Sequence, residues 1–518
     1  MSKLKTYILF FLLFFSVLIS AQTSANIFVP SEMKMLVVMK PTGKMIGGLP
    51  EMTPVSDTTE LYSRVNDIVN ASFVRQAIEL YFLAETYLYH KNQLPTIEPA
   101  YLALSENDGG FAKVGFHLKT KTGHVSKTTV PYIDIVESRI QGSIEKLMSI
   151  TQLYPHEMGH LVYGMLNLNK GIYHSRSLDM HYFSVITDYT TAFHEGFAEH
   201  IENVSRLHEE NEAVKQGIFS DIKRIKGKSV IAIEGFEKDL TYPIRLGYFK
   251  ISMPLWYQKY ENLKRYDHVI NGKAKYLNST PELNKLEDQL TYRNAGLQQN
   301  ENNLRNYVQT LSTEGVISTF FTKLTQSEVA DHFLEADFYS PFLMDTTAVL
   351  HSPKEVFSPM QNQFLKYFAV FHEYMPAGKT SGSAFVDFIE GYIDAFPSEE
   401  LMVKKIFKEA TGLDYTRLLP PQIWLLVKNY SHRLIVPDPY GAFTVPAYTF
   451  DLNAAETEDL LTIKGLHKEE ALKIIEYRNS NGFFNSLDQI KEIKGISIQS
   501  GELIINSKYD EAYIDGLA

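Results

Sequence analysis

The chain has 518 residues, 44% hydrophobic, 13% aromatic and 21% charged, with a formal net charge of −11 and no cysteine. That length is too great for one compact domain and is ample for burying cores without covalent staples. The acid excess excludes a globally basic binder of nucleic acid or anionic lipid; the absence of cysteine excludes disulfides, thiolate metal ligands and a cysteine-linked lipid anchor.

Lys3 and Lys5 precede an apolar run from Tyr7 to Ile19, closed by Ser20 and Ala21 before Gln22. A positive start, a short apolar core and small residues predict a cleaved secretory signal over residues 1–21, with an uncleaved N-terminal anchor as the alternative. No later segment resembles a membrane span, so the expectation is an exported chain, periplasmic or extracellular. Gly43, Gly47, Gly48 and several prolines predict short strands and loops up to residue 59. Val65, Ile68, Val69, Phe73, Ala77, Ile78, Tyr81 and Phe82 recur at helical spacing and predict one long amphipathic helix from Glu60 to about His90. Tyr101–Leu104 and Phe111–Leu118 read as a hairpin turning at Asp108-Gly109-Gly110. Thr128–Val136 reads as a third strand, with Pro131 at an edge or a bulge.

From Glu137 to about Tyr430 the pattern is almost entirely helical. Within it, Tyr154-Pro155-His156-Glu157-Met158-Gly159-His160 carries the strongest chemical signal. Pro155 suits a first helical turn, where its missing N–H costs nothing. His156 and His160 then project from one face, a turn apart, so two ring nitrogens can reach one Zn²⁺ at roughly 2.0–2.1 Å. Glu157 is placed against a water on that metal, as a general base. Downstream, Thr191-Ala192-Phe193-His194-Glu195-Gly196-Phe197-Ala198-Glu199-His200 predicts a partly buried helix with Glu195 and Glu199 on one face. A catalytic zinc takes three protein ligands and leaves a position open, and Glu195 is the candidate third ligand. Glu199, one turn on, is placed to accept the remaining N–H of a ligand histidine and fix its tautomer.

The pair HEMGH and HEGFAE resembles the gluzincin metallopeptidases, the clan that includes thermolysin and the zinc aminopeptidases. The resemblance implies His156, His160 and Glu195 as ligands of one Zn²⁺, Glu157 as general base and Glu199 as a carboxylate behind the ligands. It also implies an α+β, mainly helical, thermolysin- or aminopeptidase-like domain over residues 22–435. That domain would have a small sheet before residue 137, metal helices over 155–205 and a helical subdomain after them. In that clan an edge strand above the metal helix binds extended substrate by strand addition, and Thr128–Val136 is the candidate. The sequence departs from the clan in three places. The gap before Glu195 is long and holds His174 and His181; no Gly-x-Met-Glu-Asn stretch supports exopeptidase action; and His194 stands where relatives often carry Asn. His194 and His200 read as structural histidines. Tyr248, Tyr257, His372 and Tyr374 are candidates for the donor that stabilises the oxyanion.

Pro437, Asp438, Pro439, Gly441 and Pro446 mark a linker over 436–449, followed by a small all-α domain over 450–510. It consists of two related units. Leu460–Leu466 leads into Ala471–Arg478, and Phe484–Ile490 leads into Ile493–Ile496. They resemble tandem helix-hairpin-helix domains of the competence DNA-receptor type, in which a Gly-hydrophobic-Gly hairpin offers backbone N–H groups to a DNA phosphate. His467 and Ser497 replace the second glycine of each hairpin. Residues 450–518 carry seven basic against thirteen acidic side chains, a balance that opposes phosphate binding. The expectation is therefore an exported zinc metallopeptidase acting on a peptide or protein, with a C-terminal module for structure or protein docking. The alternatives are a secreted DNA-binding protein working through that module, and an inactive scaffold.

Overall fold

A computed structural model describes residues 35–106, 109–143, 148–167, 188–216, 306–345, 350, 352–375, 381–411, 413–427, 434–438, 441–445, 448–455 and 457–508. The signal segment, His174, His181, Tyr248 and Tyr257 lie outside the described residues. The fold is mixed α+β and mostly helical, with a small five-stranded barrel near the N-terminus. No helix among the described residues is long and apolar enough to cross a membrane.

In chain order the main elements begin with β1 (Leu36–Ile46), β2 (Leu49–Pro54), α1 (Glu60–Ala71), α2 (Val74–Asn92), β3 (Ala100–Ser105), β4 (Phe111–Thr120) and β5 (Gly123–Val136). Next come α3 (Met148–Leu166), α4 (Tyr189–Leu207), α5 (Glu314–Thr325), α6 (Pro359–Ala369), α7 (Ala384–Ala395) and α8 (Glu400–Thr411). The chain continues through β6 (Trp424–Val427), β7 (Leu434–Asp438), β8 (Gly441–Val445), β9 (Tyr448–Asp451), α9 (Lys468–Asn481) and α10 (Ile498–Asn506). These fall into two compact units, one from residues 1–168, 205–215 and 325–373, the other from 169–204, 216–324 and 374–518.

In the first unit the strands close a barrel in the order β1-β2-β4-β5-β3 around Met39, Met52, Tyr101, Ala103, Phe116 and Tyr132. The glycine turn after β3 does not make the expected hairpin. β3 runs parallel to β1 and β5, and the hairpin is β4–β5, closing between Thr120 and Gly123. Gly109 serves close approach instead: a Cβ there would stand 2.7 Å from the Val136 backbone nitrogen. β5 has β4 beside it along most of its length but β3 only at Ile133–Val136, so its residues up to Tyr132 form an edge, as expected for Pro131. Pro131 pairs with Val114 beside a bulge at Gly115, which has φ +88° and would put a Cβ 2.8 Å from the Thr128 carbonyl. β4 also has an open stretch. Its residues Phe111–Val114 pair with β5, while β2 reaches only His117 and Leu118.

The single helix expected over 60–90 is two, α1 and α2. Ser72 takes an extended backbone and turns its hydroxyl back to the Ile68 carbonyl at 2.8 Å, ending α1. The Phe73 N–H, released from the helix ladder, donates to Glu209 Oε2 at 3.1 Å. α2 is apolar on nearly every face and lies against α3. Pro155 is not in a first turn: α3 begins at Met148, so the proline sits in its interior, where it cannot donate the N–H that an interior helical residue supplies. Buried Tyr154, Met158, Leu161 and Val162 anchor this helix strongly enough to carry that loss.

In the second unit Asp188 caps α4 by accepting from the Thr190 and Thr191 N–H groups at 3.0 and 2.9 Å. α4 meets α5 at Gly196, where a Cβ would lie 2.7 Å from both the Glu314 carbonyl and Ile317 Cβ. Phe193, Phe320, Phe321, Phe385 and Phe388 interlock there. The C-terminal module has a core of Leu452, Leu460, Ala471, Ile474, Phe484 and Ile504, joined by Leu425 from β6. Because β6 pairs with β9, the module is not all-α, and it starts before residue 450. The 436–449 stretch, expected as a linker, holds a β7–β8 hairpin. The carbonyls of Asn453 and Ala454 accept from Asn306 Nδ2 and Gln309 Nε2, at 3.0 and 3.1 Å.

Candidate functional site

The i, i+4 spacing on α3 brings His156 and His160 together as expected. Their Nε2 atoms are 3.2 Å apart and the rings nearly perpendicular, at 82°. At that distance either one ring donates to the other or both lone pairs face a shared cation. Glu195 is the third residue of a group that could hold a metal ion. One ligand atom from each of His156, His160 and Glu195 lies within 4.8 Å of the others. Ligands at roughly 2.0–2.2 Å from a tetrahedral centre stand roughly 3.3–3.5 Å apart, so the histidine pair already has that spacing. Two imidazoles and one carboxylate, all half-buried, form a donor set that fits a divalent ion such as zinc.

Glu157 does not join this cluster. It is 7% exposed, and its Oε2 accepts from the Ala112 N–H of β4 at 2.8 Å. That donor was invisible to sequence reasoning: it is a backbone group, and no side-chain pattern marks it. Glu199 lies one turn beyond Glu195 and is buried. His200 is fully buried, with Nδ1 3.0 Å from Thr322 Oγ1 and its ring stacked on Phe321, the structural role expected for it. His372 is engaged in packing: Nδ1 lies 3.2 Å from the Leu166 carbonyl, and its ring meets Tyr87 edge-on. Tyr374 is 40% exposed and its backbone abuts Gly391.

A family profile described as the helix-hairpin-helix motif matches residues 445–504, so the chain carries that motif near its C-terminus. No curated protein and no solved structure matches the chain.

Proposed function

We propose that this chain is an exported zinc-dependent metallopeptidase in which His156, His160 and Glu195 hold one zinc ion and Glu157 acts as general base. The carrying observation is the convergence of donor atoms from these three ligand residues, with a buried glutamate beside the first histidine. Three ligands rather than four favour a catalytic over a structural zinc. Bound there, zinc would polarise a peptide carbonyl and acidify a water. Glu157 has Oε2 fixed by Ala112, which leaves Oε1 to accept a proton and return it to the leaving amine. Phe111–Val114 of β4 is preferred to Thr128–Val136 as the strand on which extended substrate would pair, because Ala112 within it bonds Glu157. Glu199 is proposed to steady a ligand histidine. The gluzincin resemblance and the apolar N-terminal run support the class and the export.

Elemental analysis of the purified chain tests the centre. It should find about one zinc per chain, as expected for a three-ligand catalytic site, and little in His160→Ala or Glu195→Ala. A peptide library should be cleaved by wild type and left intact by Glu157→Ala. A chain that neither contains zinc nor takes it up would sink the proposal.

The alternative reading is a secreted DNA-binding protein acting through the C-terminal module, which the helix-hairpin-helix match favours. A gel shift with the full chain that is tight at low salt and falls steeply with added salt would support it.

A further inference from the structure

The two hairpins of the C-terminal module turn at Gly465 and Gly495, both at positive φ, +96° and +83°. Each turn is followed by a helix N-cap, His467 for α9 and Ser497 for α10. Their backbone N–H groups are the donors that a phosphate-reading hairpin of this type presents outward. Here both already have a partner. Glu470, in the first turn of α9 and 8% exposed, accepts from Ser497 N–H through Oε1 at 3.1 Å. Its Oε2 accepts from His467 N–H at 3.4 Å and from the Ser500 hydroxyl at 2.7 Å. One carboxylate thus ties the first hairpin to the second. One turn on, Lys473 donates to the Gly495 carbonyl at 2.9 Å and lies over that glycine, 2.4 Å from where a Cβ would stand.

We infer that Glu470 is a built-in anionic ligand of the hairpin pair, filling from within the donors that would otherwise take a nucleic-acid phosphate. Burial alone would raise its carboxyl, but the bonds from Ser500, Ser497 and His467 hold it below the ordinary glutamate range, so it is an anion at neutral pH. A phosphate at these amides would have to displace a carboxylate already bonded three ways, or lie beside it as a like charge. Sequence alone shows only that the second glycines are missing; the structure supplies what occupies their donors. The inference is independent of the zinc centre.

The test uses the full chain, a fluorescently labelled short DNA duplex and binding followed by anisotropy at low and high salt. Wild type should bind weakly, and Glu470→Ala should bind about tenfold more tightly or better at low salt, the gain shrinking as salt rises. Amide exchange across residues 493–500 should be faster in the variant. Wild-type binding that Glu470→Ala leaves unchanged or weakens would overturn the inference, as would no gain in a variant whose melting shows a folded module. If Glu470→Ala does not fold, Glu470→Gln keeps the size and an acceptor oxygen while removing the charge. A several-fold gain there supports the inference, and no gain overturns it.

Discussion

Two buried glutamates, one in each compact unit, accept backbone N–H groups and yet are left with different capacities. Glu470 has both oxygens engaged, by two amides and a hydroxyl, all within the helix-hairpin-helix module. Glu157 takes one bond, from Ala112, and among the described residues its second oxygen is uncommitted. It follows His156 in the chain, one of three residues that could hold a metal ion. A carboxylate with both oxygens bonded contributes to stability and has little left for chemistry; one held by a single bond is oriented and still able to take a proton.

Substitution should separate the two most sharply. Glu157→Gln is expected to lower peptide cleavage by roughly 10²- to 10⁴-fold with little change in melting temperature. Glu470→Gln should leave cleavage intact and lower module stability by about 1–3 kcal/mol, since it disturbs three satisfied donors. Parallel kinetics and thermal melts check both, and a Glu470 variant that loses activity would erase the distinction.

A third buried acid sharpens the comparison. Glu85 on α2 receives the Tyr81 hydroxyl at 3.1 Å, but burial outweighs that bond and pushes its carboxyl up to about 7. Because the folded value is raised, its contribution is full below the ordinary carboxylate range and is lost as pH climbs through about 7. The first unit should therefore lose on the order of 3 kcal/mol between mildly acidic and neutral pH, and Glu85→Gln should flatten that slope. Melting temperature against pH for both proteins measures it; equal slopes would refute the assignment.

The smallest effect is expected at Gly196. An alanine there meets the Glu314 carbonyl and Ile317 at 2.7 Å, so it should cost about 1–3 kcal/mol by overpacking. By shifting α4, which carries Glu195, it should also reduce zinc occupancy. Normal zinc content in a destabilised Gly196→Ala protein would show that helix position is not critical to the centre.

What could be read from the sequence was local. The i, i+4 histidines on one helix face and the tandem hairpins are written in short-range spacing, and the structure has both. Barrel pairing was not legible, because two consecutive strands around Asp108-Gly109-Gly110 look like a hairpin until distant β1 and β5 take both edges of β3. The break at Ser72 carries no proline or glycine to announce it. Pro155 misled because local preference favours a first turn, whereas buried neighbours extend the helix past it. Ala112 and the Ser497 amide act through main-chain donors, on which residue type is silent.

β1 is the first described strand, yet it pairs in parallel with β3, which follows only after α1 and α2. A β1–β2 hairpin emerging from the ribosome or a translocation pore therefore has no way to close until the helical pair and three more strands have been delivered. Closure of the barrel is a late, non-local event, of the kind that slows folding and leaves intermediates vulnerable to association. A cut beyond Ile46 removes the closing strand and exposes β2 and β3 as raw edges for other chains.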